Sequence, residues 1–205
     1  MIVKNPDQTR KMLLQAAYLE IQRNGFQAAC LASILAHTNL TKGALYHHFP
    51  NKLTLGYAVV DDIIREDIIG FWVTPLEDCE NPIDCLLNII YRAGEEYRQE
   101  YERCGCPLNN LAQEMSPVDE IFRQKINHIY VLWRQGISQA LTKGQTDGSV
   151  RPDIQPEAAA TFIIAAIEGC VGMAKNAQDI NVLYKCGVGL VHYLESLRLV
   201  LVKEN

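Results

Sequence analysis

The residues best suited to do chemistry lie between positions 41 and 50, in the segment TKGALYHHFP. Helical spacing puts Leu45 and Phe49 one turn apart on one side of a short helix. The other side then carries a cation, a phenol, an imidazole and two very small residues. These are Lys42, Tyr46, His47, Gly43 and Ala44. Such a face can approach the floor of the DNA major groove and contact phosphates or base edges, although a solvated helical corner is the alternative.

A helix-turn-helix would position this face. We predict two short helices, Leu31–His37 and Lys42–Phe49, joined by a four-residue turn. Asn39 in that turn is one of the few non-glycine residues that adopt positive φ at low cost. Thr41 can cap the second helix through its hydroxyl. An earlier helix over Asp7–Asn24 would complete a small three-helix core.

The remaining chain also has helical periodicity, and no alternating strand pattern occurs in it. Further helices are predicted over residues 52–72, 82–103, 108–114, 117–143, 156–176 and 179–202. The expected fold class is therefore all-α. We divide the chain into a three-helix domain with the helix-turn-helix over residues 1–52 and a larger C-terminal helical domain over residues 53–205.

The charge of the chain is unevenly distributed. Its formal net charge is −5, yet residues 1–52 contain six basic and two acidic residues, a local charge of +4, which leaves −9 for the remainder. Such an asymmetry favours phosphate at one end of the chain and repels it elsewhere.

Two stretches, TKGALYHHFPNK and the upstream LLQAAYLEIQRNGF, resemble the DNA-binding signature of the TetR family of transcriptional repressors, specifically over residues 9–58. The resemblance implies base contacts near the start of the recognition helix, further phosphate and base contacts along it, and backbone contacts at its edges. Lys42 and Gly43 would make the first base contacts, Tyr46 and His47 the further phosphate and base contacts, and Thr41 and Lys52 the backbone contacts. The second helix departs from the family pattern, since Ala32 stands where Arg is common.

The resemblance also implies that residues 1–52 bind DNA and that residues 53–205 form a ligand-binding and dimerisation domain, hence a homodimer and an inducer. The last two predicted helices, about residues 156–202, are apolar on several sides and would pack against their copies, with a monomer core as the alternative. The central helices would enclose a pocket for an unknown small-molecule inducer. Aromatic and Met residues at helical spacing are the candidates for its lining, although such residues can equally be core. They are Tyr91, Met115, Phe122, Tyr130, Trp133, Phe162 and Met173.

One cysteine pair is chemically distinctive. Cys104 and Cys106 flank a glycine just before a predicted helix, and Arg103 adds a cation, so both the helix dipole and the local charge favour a reactive thiolate. The stretch ERCGCPLNNLAQE resembles the electrophile- and oxidant-sensing branch of the family, which implies modification of Cys106 with Lys175 close by. Buried cysteines are often inert core residues, so a structural role stays open.

Several classes are disfavoured by the sequence. Seven cysteines without framework spacing indicate reduced thiols and a cytoplasmic protein. No apolar run approaches the roughly 18 residues that would span a membrane. We expect no metal, because paired zinc-ligand spacing is absent, and no cofactor. We expect no enzyme activity, because catalytic motifs are missing. The remaining alternatives are a thiol enzyme using Cys106 and a helical interaction protein that does not bind DNA.

Overall fold

The computed structural model describes residues 6–96 and 103–199, and the predicted all-α fold class is confirmed. In chain order the helices are α1 (Pro6–Asn24), α2 (Leu31–Ala36), α3 (Lys42–His48), α4 (Lys52–Val59), α5 (Arg65–Trp72), α6 (Thr74–Glu77), α7 (Pro82–Glu96), α8 (Pro107–Met115), α9 (Glu120–Thr146), α10 (Pro156–Ala177) and α11 (Ile180–Ser196). Parts of two predicted helices, residues 97–102 and 200–202, lie outside the described residues. Among the described residues, an isolated antiparallel bridge between Val150 and Arg198 is the one β-type pairing.

The chain divides into two compact units. Unit 1 comprises the residues up to Asp67 together with Pro107–His128, and unit 2 comprises Ile68–Cys106 and the residues from Ile129 onward. The divisions therefore fall inside α5 and α9 and at the start of α8. The boundary after residue 52 stays a prediction about function, since the compact unit that holds the helix-turn-helix extends further along the chain.

The predicted helix over residues 52–72 contains a π-helical turn. α4 and α5 are joined by Val60–Ile64, where the Arg65 N–H donates to the Val60 carbonyl five residues back. Its apolar residues Val60 and Ile64 are buried. A π-helical turn contains one residue more than an α-helical turn, and the apolar pattern of this segment also fits an uninterrupted α-helix, so the sequence does not reveal it. Such π-turns often occur at functional sites.

Aromatic rings fill the middle of unit 1. The Phe122 ring lies 4.7 Å from that of Phe26 and 4.9 Å from that of Tyr57, both edge to face. Gly56 makes room for this contact. A Cβ at Gly56 would stand 2.7 Å from Phe122 Cζ and would also collide with the Phe26 ring.

The core of unit 2 contains two packed indole rings, inclined by 36°, and a helix hairpin. Trp72 and Trp133 pack with ring centroids 5.2 Å apart. α10 ends at Gln178, which adopts a left-handed conformation with φ 49°, and α11 begins directly after Asp179. The Asp179 carboxylate accepts the Asn181 N–H at 2.9 Å and so satisfies one of the first amides of α11.

Two cysteines correct the expectation that all the thiols are reduced. Cys79 and Cys85 form a disulfide with their Cα atoms 6.5 Å apart. They are only six positions apart in the sequence, and Asn81 between them caps α7 by accepting the Ile83 N–H at 3.0 Å. The tight turn into the helix thus brings the two sulfurs together, a geometry that cysteine spacing alone does not reveal.

One helix in the described part of the chain, α10, is long and apolar enough to cross a membrane, judged by length and composition only. Helices in the cores of soluble proteins meet the same criteria, and eight α10 residues are buried within the protein. α10 also carries the acidic residue Glu168 near its middle. The apolar composition of α10 therefore fits a packed helix.

Gly56→Ala is expected to lower the free energy of unfolding by about 1–3 kcal/mol, because overpacking against two aromatic rings outweighs the gain in helix propensity. Gly70→Ala is the matched control, since Gly70 lies exposed in α5 and a Cβ added there would meet no atom within 4 Å. The control is expected to stabilise the protein by up to about 1 kcal/mol. Urea unfolding measures both, and equal stability of the two variants would contradict the packing described for Gly56.

Candidate nucleic-acid interface

The turn between α2 and α3 has the geometry that the sequence predicts. Asn39 adopts φ 55°, in the left-handed region. The Thr38 hydroxyl donates to the Leu35 carbonyl at 3.0 Å and accepts the Leu40 N–H at 3.3 Å. The Thr41 hydroxyl accepts the Ala44 N–H at 3.2 Å and caps α3, as predicted. The turn is therefore fixed by side chains of its own sequence.

α3 has one buried side and one exposed side. Leu45 and Phe49 are 1% and 3% exposed and belong to the core of unit 1. The residues that we predict to face DNA lie on the other side of the helix. Ala44 is half-buried and the others are exposed. The exposed ones are Thr41, Lys42, Gly43, Tyr46 and His47. The structure thus brings these residues together on one accessible surface, which we call the α3 face, and their contacts with DNA stay a prediction.

Lys52, predicted to contact the DNA backbone, also has a structural role. Its ammonium donates to the Gln27 carbonyl at 3.0 Å and lies 5.0 Å from the centre of the Phe26 ring. The side chain therefore links the first turn of α4 to the loop between α1 and α2. An ammonium has three N–H donors, so this contact leaves capacity for a phosphate.

The loop after α1 is held by a residue for which the sequence suggested no role. Glu114, in the last turn of α8, accepts the Phe26 N–H at 2.8 Å and the Gln27 N–H at 2.7 Å, one with each carboxylate oxygen. Gly25 makes the approach possible, since it adopts φ 78° and a Cβ there would lie 2.9 Å from the carboxylate. We call this arrangement the Glu114 clamp. It fixes the point from which the chain enters α2.

Acidic residues offset part of the positive charge of unit 1. In the π-helical turn, Asp62 pairs with Arg10 and Asp61 pairs with Lys125, each at 2.5 Å. Taken over residues 1–67 and 107–128, unit 1 holds nine basic and nine acidic residues. The positive excess of this unit is thus confined to residues 1–52, where Lys42 is exposed on α3.

The predicted pocket residues fall into three groups. Met115 and Phe122 are buried in unit 1. Tyr91 lines a cavity of about 520 Å³ in unit 2, which also borders Trp72 and helices α7, α10 and α11. The others lie elsewhere in unit 2, with Tyr130 and Trp133 in α9 and with Phe162 and Met173 exposed on α10. The structure therefore does not bring the seven residues together in one site.

Cys106 is buried beside an acid. Its thiol donates to Glu168 Oε1 at 3.2 Å, and its side chain is 7% exposed. Cys104 and Lys175 are both half-buried, Lys175 two turns after Glu168 along α10. Gly105 between the cysteines adopts φ 74°, in the left-handed region, in the turn that precedes α8. Across residues 6–96 and 103–199, no group of three or more His, Cys, Asp or Glu side chains is arranged to hold a metal ion.

Removing the Glu114 carboxylate is expected to free the Phe26 and Gln27 amides. Glu114→Ala loses two charge-assisted hydrogen bonds, each contributing about 1.5–3 kcal/mol, so hydrogen exchange at both amides should accelerate roughly tenfold or more. Glu120→Gln is the charge-matched control, because Glu120 is exposed and bonds to residues of its own helix. Unchanged exchange at both amides in Glu114→Ala would contradict the clamp.

Two family models match the chain. Residues 13–58 match the bacterial regulatory proteins of the tetR family, and residues 82–188 match the C-terminal domain of LmrA/YxaF-like transcriptional regulators. The HTH-type transcriptional repressor DhaR of Mycobacterium sp. (strain GP1) is 26% identical over 162 residues, which cover 79% of this chain and 80% of DhaR. The HTH-type transcriptional regulator LmrA of Bacillus subtilis (strain 168) is 26% identical, with 83% and 88% covered.

Solved structures agree with the family models. A crystal structure of a TetR transcriptional regulator from Chloroflexus aurantiacus J-10-FL has a TM-score of 0.83 and 25% identity, with 95% of this chain and 98% of that chain covered. The second family model alone spans more than half of the sequence. The chain therefore belongs to the TetR family, and it is a DNA-binding transcriptional regulator.

Proposed function

We propose that the protein is a repressor that binds a palindromic operator as a homodimer and is released by a small-molecule inducer. The observation that carries this proposal is the α3 face, in which a cation, a phenol and an imidazole are exposed on a helix whose other side is buried. The protein would act in the cytoplasm, where its operator is. A thiol enzyme is not favoured, because Cys106 is only 7% exposed.

Specific binding would depend mainly on α3. Gly43 leaves the start of the helix open, since a Cβ there would meet only the Thr41 hydroxyl, at 3.8 Å. The backbone can therefore approach bases closely, with Lys42 and Gly43 at base edges and with Ala44 beside them. Tyr46 is 50% exposed and, like His47, would reach phosphates and bases. Thr41 and Lys52 would contact the DNA backbone.

A second copy of the chain is the proposed partner of α10 and α11. Large apolar side chains on these helices are unusually exposed, each between 45% and 59%. They are Phe162 and Met173 and, also lining the cavity of about 520 Å³, Tyr184 and Val188. The glycines of both helices have open space at the Cβ position, which permits close helix approach. A single two-turn helix contacts few bases. A dimer presents two recognition helices and so contacts enough bases for specific binding.

The inducer would bind within unit 2. Its cavity of about 520 Å³ lies within the size range of small-molecule sites, and most of its lining is apolar. Thiol modification at Cys106, with the participation of Cys104 and Lys175 that the sequence predicts, is a second proposed route of release. It has less support, because reaction needs access and the Cys106 thiol is buried and donates to Glu168.

The double substitution Lys42→Ala with Tyr46→Ala is expected to weaken binding to an operator from the chain's own promoter by roughly a hundredfold or more, since each lost base or phosphate contact costs about 1–3 kcal/mol. Arg123→Ala is the control, because it removes an exposed cation of unit 1 that pairs within α9. Gel shift over a series of salt concentrations measures both. Equal operator affinity in wild-type and doubly substituted protein would refute the role of α3.

Val188→Asp is expected to convert the dimer into a monomer and to weaken operator binding, because it buries a charge at the proposed contact of α11 with its copy. Val118→Asp is the matched control, since Val118 is 62% exposed and lies outside the helices. Light scattering coupled to size-exclusion chromatography measures the mass. A Val188→Asp protein that stays dimeric would place the homodimer contact elsewhere.

A further inference from the structure

Unit 2 contains a buried polar cluster that the proposed DNA contacts do not include. Glu168 in α10 accepts the Cys106 thiol at 3.2 Å. Burial, and after it the charges of Glu168 and Cys106, raise the pKa of Tyr130 in α9. Its ring stacks on that of Trp133, with centroids 6.5 Å apart and planes inclined by 7°. We call these four residues, Cys106, Tyr130, Trp133 and Glu168, the Glu168 cluster.

Two atoms of this cluster have no hydrogen-bond partner among the described residues, Glu168 Oε2 and Trp133 Nε1. Both side chains are more than nine-tenths buried, at 7% and 1% exposed. A buried polar group left unsatisfied costs about 1–3 kcal/mol, and native proteins contain few of them. One atom is an acceptor and the other a donor, so the cluster has the features of a binding site for a polar group from outside the chain.

The charge of the cluster indicates which group would bind. Burial raises the pKa of Glu168 to about 7, against the lowering effect of the Cys106 hydrogen bond. Burial and the charge of Glu168 also raise the pKa of Tyr130, which holds the phenol neutral. A bound cation would offset the cost of ionising Glu168. The aromatic faces of Tyr130 and Trp133 favour a cation as well.

The cavity of unit 2 described above would hold the apolar part of such a ligand. Trp72 lines the cavity of about 520 Å³, and its ring packs 5.2 Å from that of Trp133. Ile167 and Val171 line the same cavity and lie in α10 one residue before and three residues after Glu168. Neither Glu168 nor Trp133 is part of the cavity lining, so an apolar body there would contact Trp72, Ile167 and Val171, and its polar end would have to extend beyond the lining to reach Glu168.

We propose that the Glu168 cluster binds the ammonium group of a small organic amine whose apolar body occupies this cavity. The ammonium donates to Glu168 Oε2, and Trp133 Nε1 donates to a second polar group of the natural ligand. This inference rests on the proposed function, because it names the chemical class of the inducer.

Three probes with one apolar body test the charge preference: 4-phenylbutylammonium, 4-phenylbutan-1-ol and 4-phenylbutyrate. Trp72 and Trp133 are the two tryptophans of the sequence, so intrinsic fluorescence of the full-length protein reports directly on this region. The wild-type protein is expected to bind the ammonium at least tenfold more tightly than the alcohol and to bind the carboxylate most weakly. Equal binding of ammonium and alcohol, tightest binding of the carboxylate, or no binding of the ammonium at millimolar concentration would overturn the proposal.

Two variants separate a ligand contact from a structural role. Glu168→Gln keeps the shape and removes the charge, so ammonium affinity is expected to fall to that of the alcohol while alcohol affinity is unchanged. Cys106→Ser retains a donor to Oε1 and is expected to keep the preference for ammonium. A Glu168→Gln protein that still prefers the ammonium tenfold would refute the assignment.

Operator binding separates this inference from the proposed function. Ligand-free wild-type and Glu168→Gln proteins are expected to bind the operator equally, and the ammonium is expected to release only the wild-type protein. If both proteins bind the operator and the ammonium releases neither, the amine assignment fails and the repressor stands. Failure of the ligand-free wild-type protein to bind any operator would contradict the proposed function itself.

Discussion

The helix-turn-helix depends on one carboxylate that is distant from it in sequence. Glu114 satisfies two backbone amides of the loop between α1 and α2, and the Lys52 ammonium binds the carbonyl of the same loop. Two charge-assisted hydrogen bonds of about 1.5–3 kcal/mol each are a large share of a domain stability of about 5–15 kcal/mol. The direction in which the chain enters α2, and with it the placement of the α3 face, follows from this contact.

The clamp residue lies at the end of the helix that begins directly after Cys106. Cys106, which binds Glu168 in unit 2, is the residue directly before α8, and Glu114 lies in the last turn of that helix. Eight positions of sequence thus separate Cys106, which belongs to unit 2, from Glu114, which belongs to unit 1.

Local features of the fold were predictable from the sequence, and long-range ones were not. Helical periodicity predicted the helices except the short α6 and the π-helical turn. Side-chain chemistry predicted the positive φ of Asn39 and the Thr41 cap, because these depend on neighbours within four residues. The Glu114 clamp joins residues 88 apart, and no local pattern encodes it. Phe122 was assigned to a pocket because aromatic periodicity alone does not distinguish a pocket from the core of unit 1. Glu168 was missed because an acid within an apolar helix resembles an interruption of the pattern.

The most direct measurement of the central claim is selection of binding sites from random duplex DNA with the full-length protein. We expect a two-fold symmetric consensus whose half-sites are centred one helical turn apart, about 34–36 Å, or a multiple of it. We also expect protection over both half-sites in footprinting, and no enrichment with Lys42→Ala and Tyr46→Ala combined. Recovery of no enriched sequence, or of a consensus without two-fold symmetry, would contradict a dimeric repressor that recognises DNA through α3.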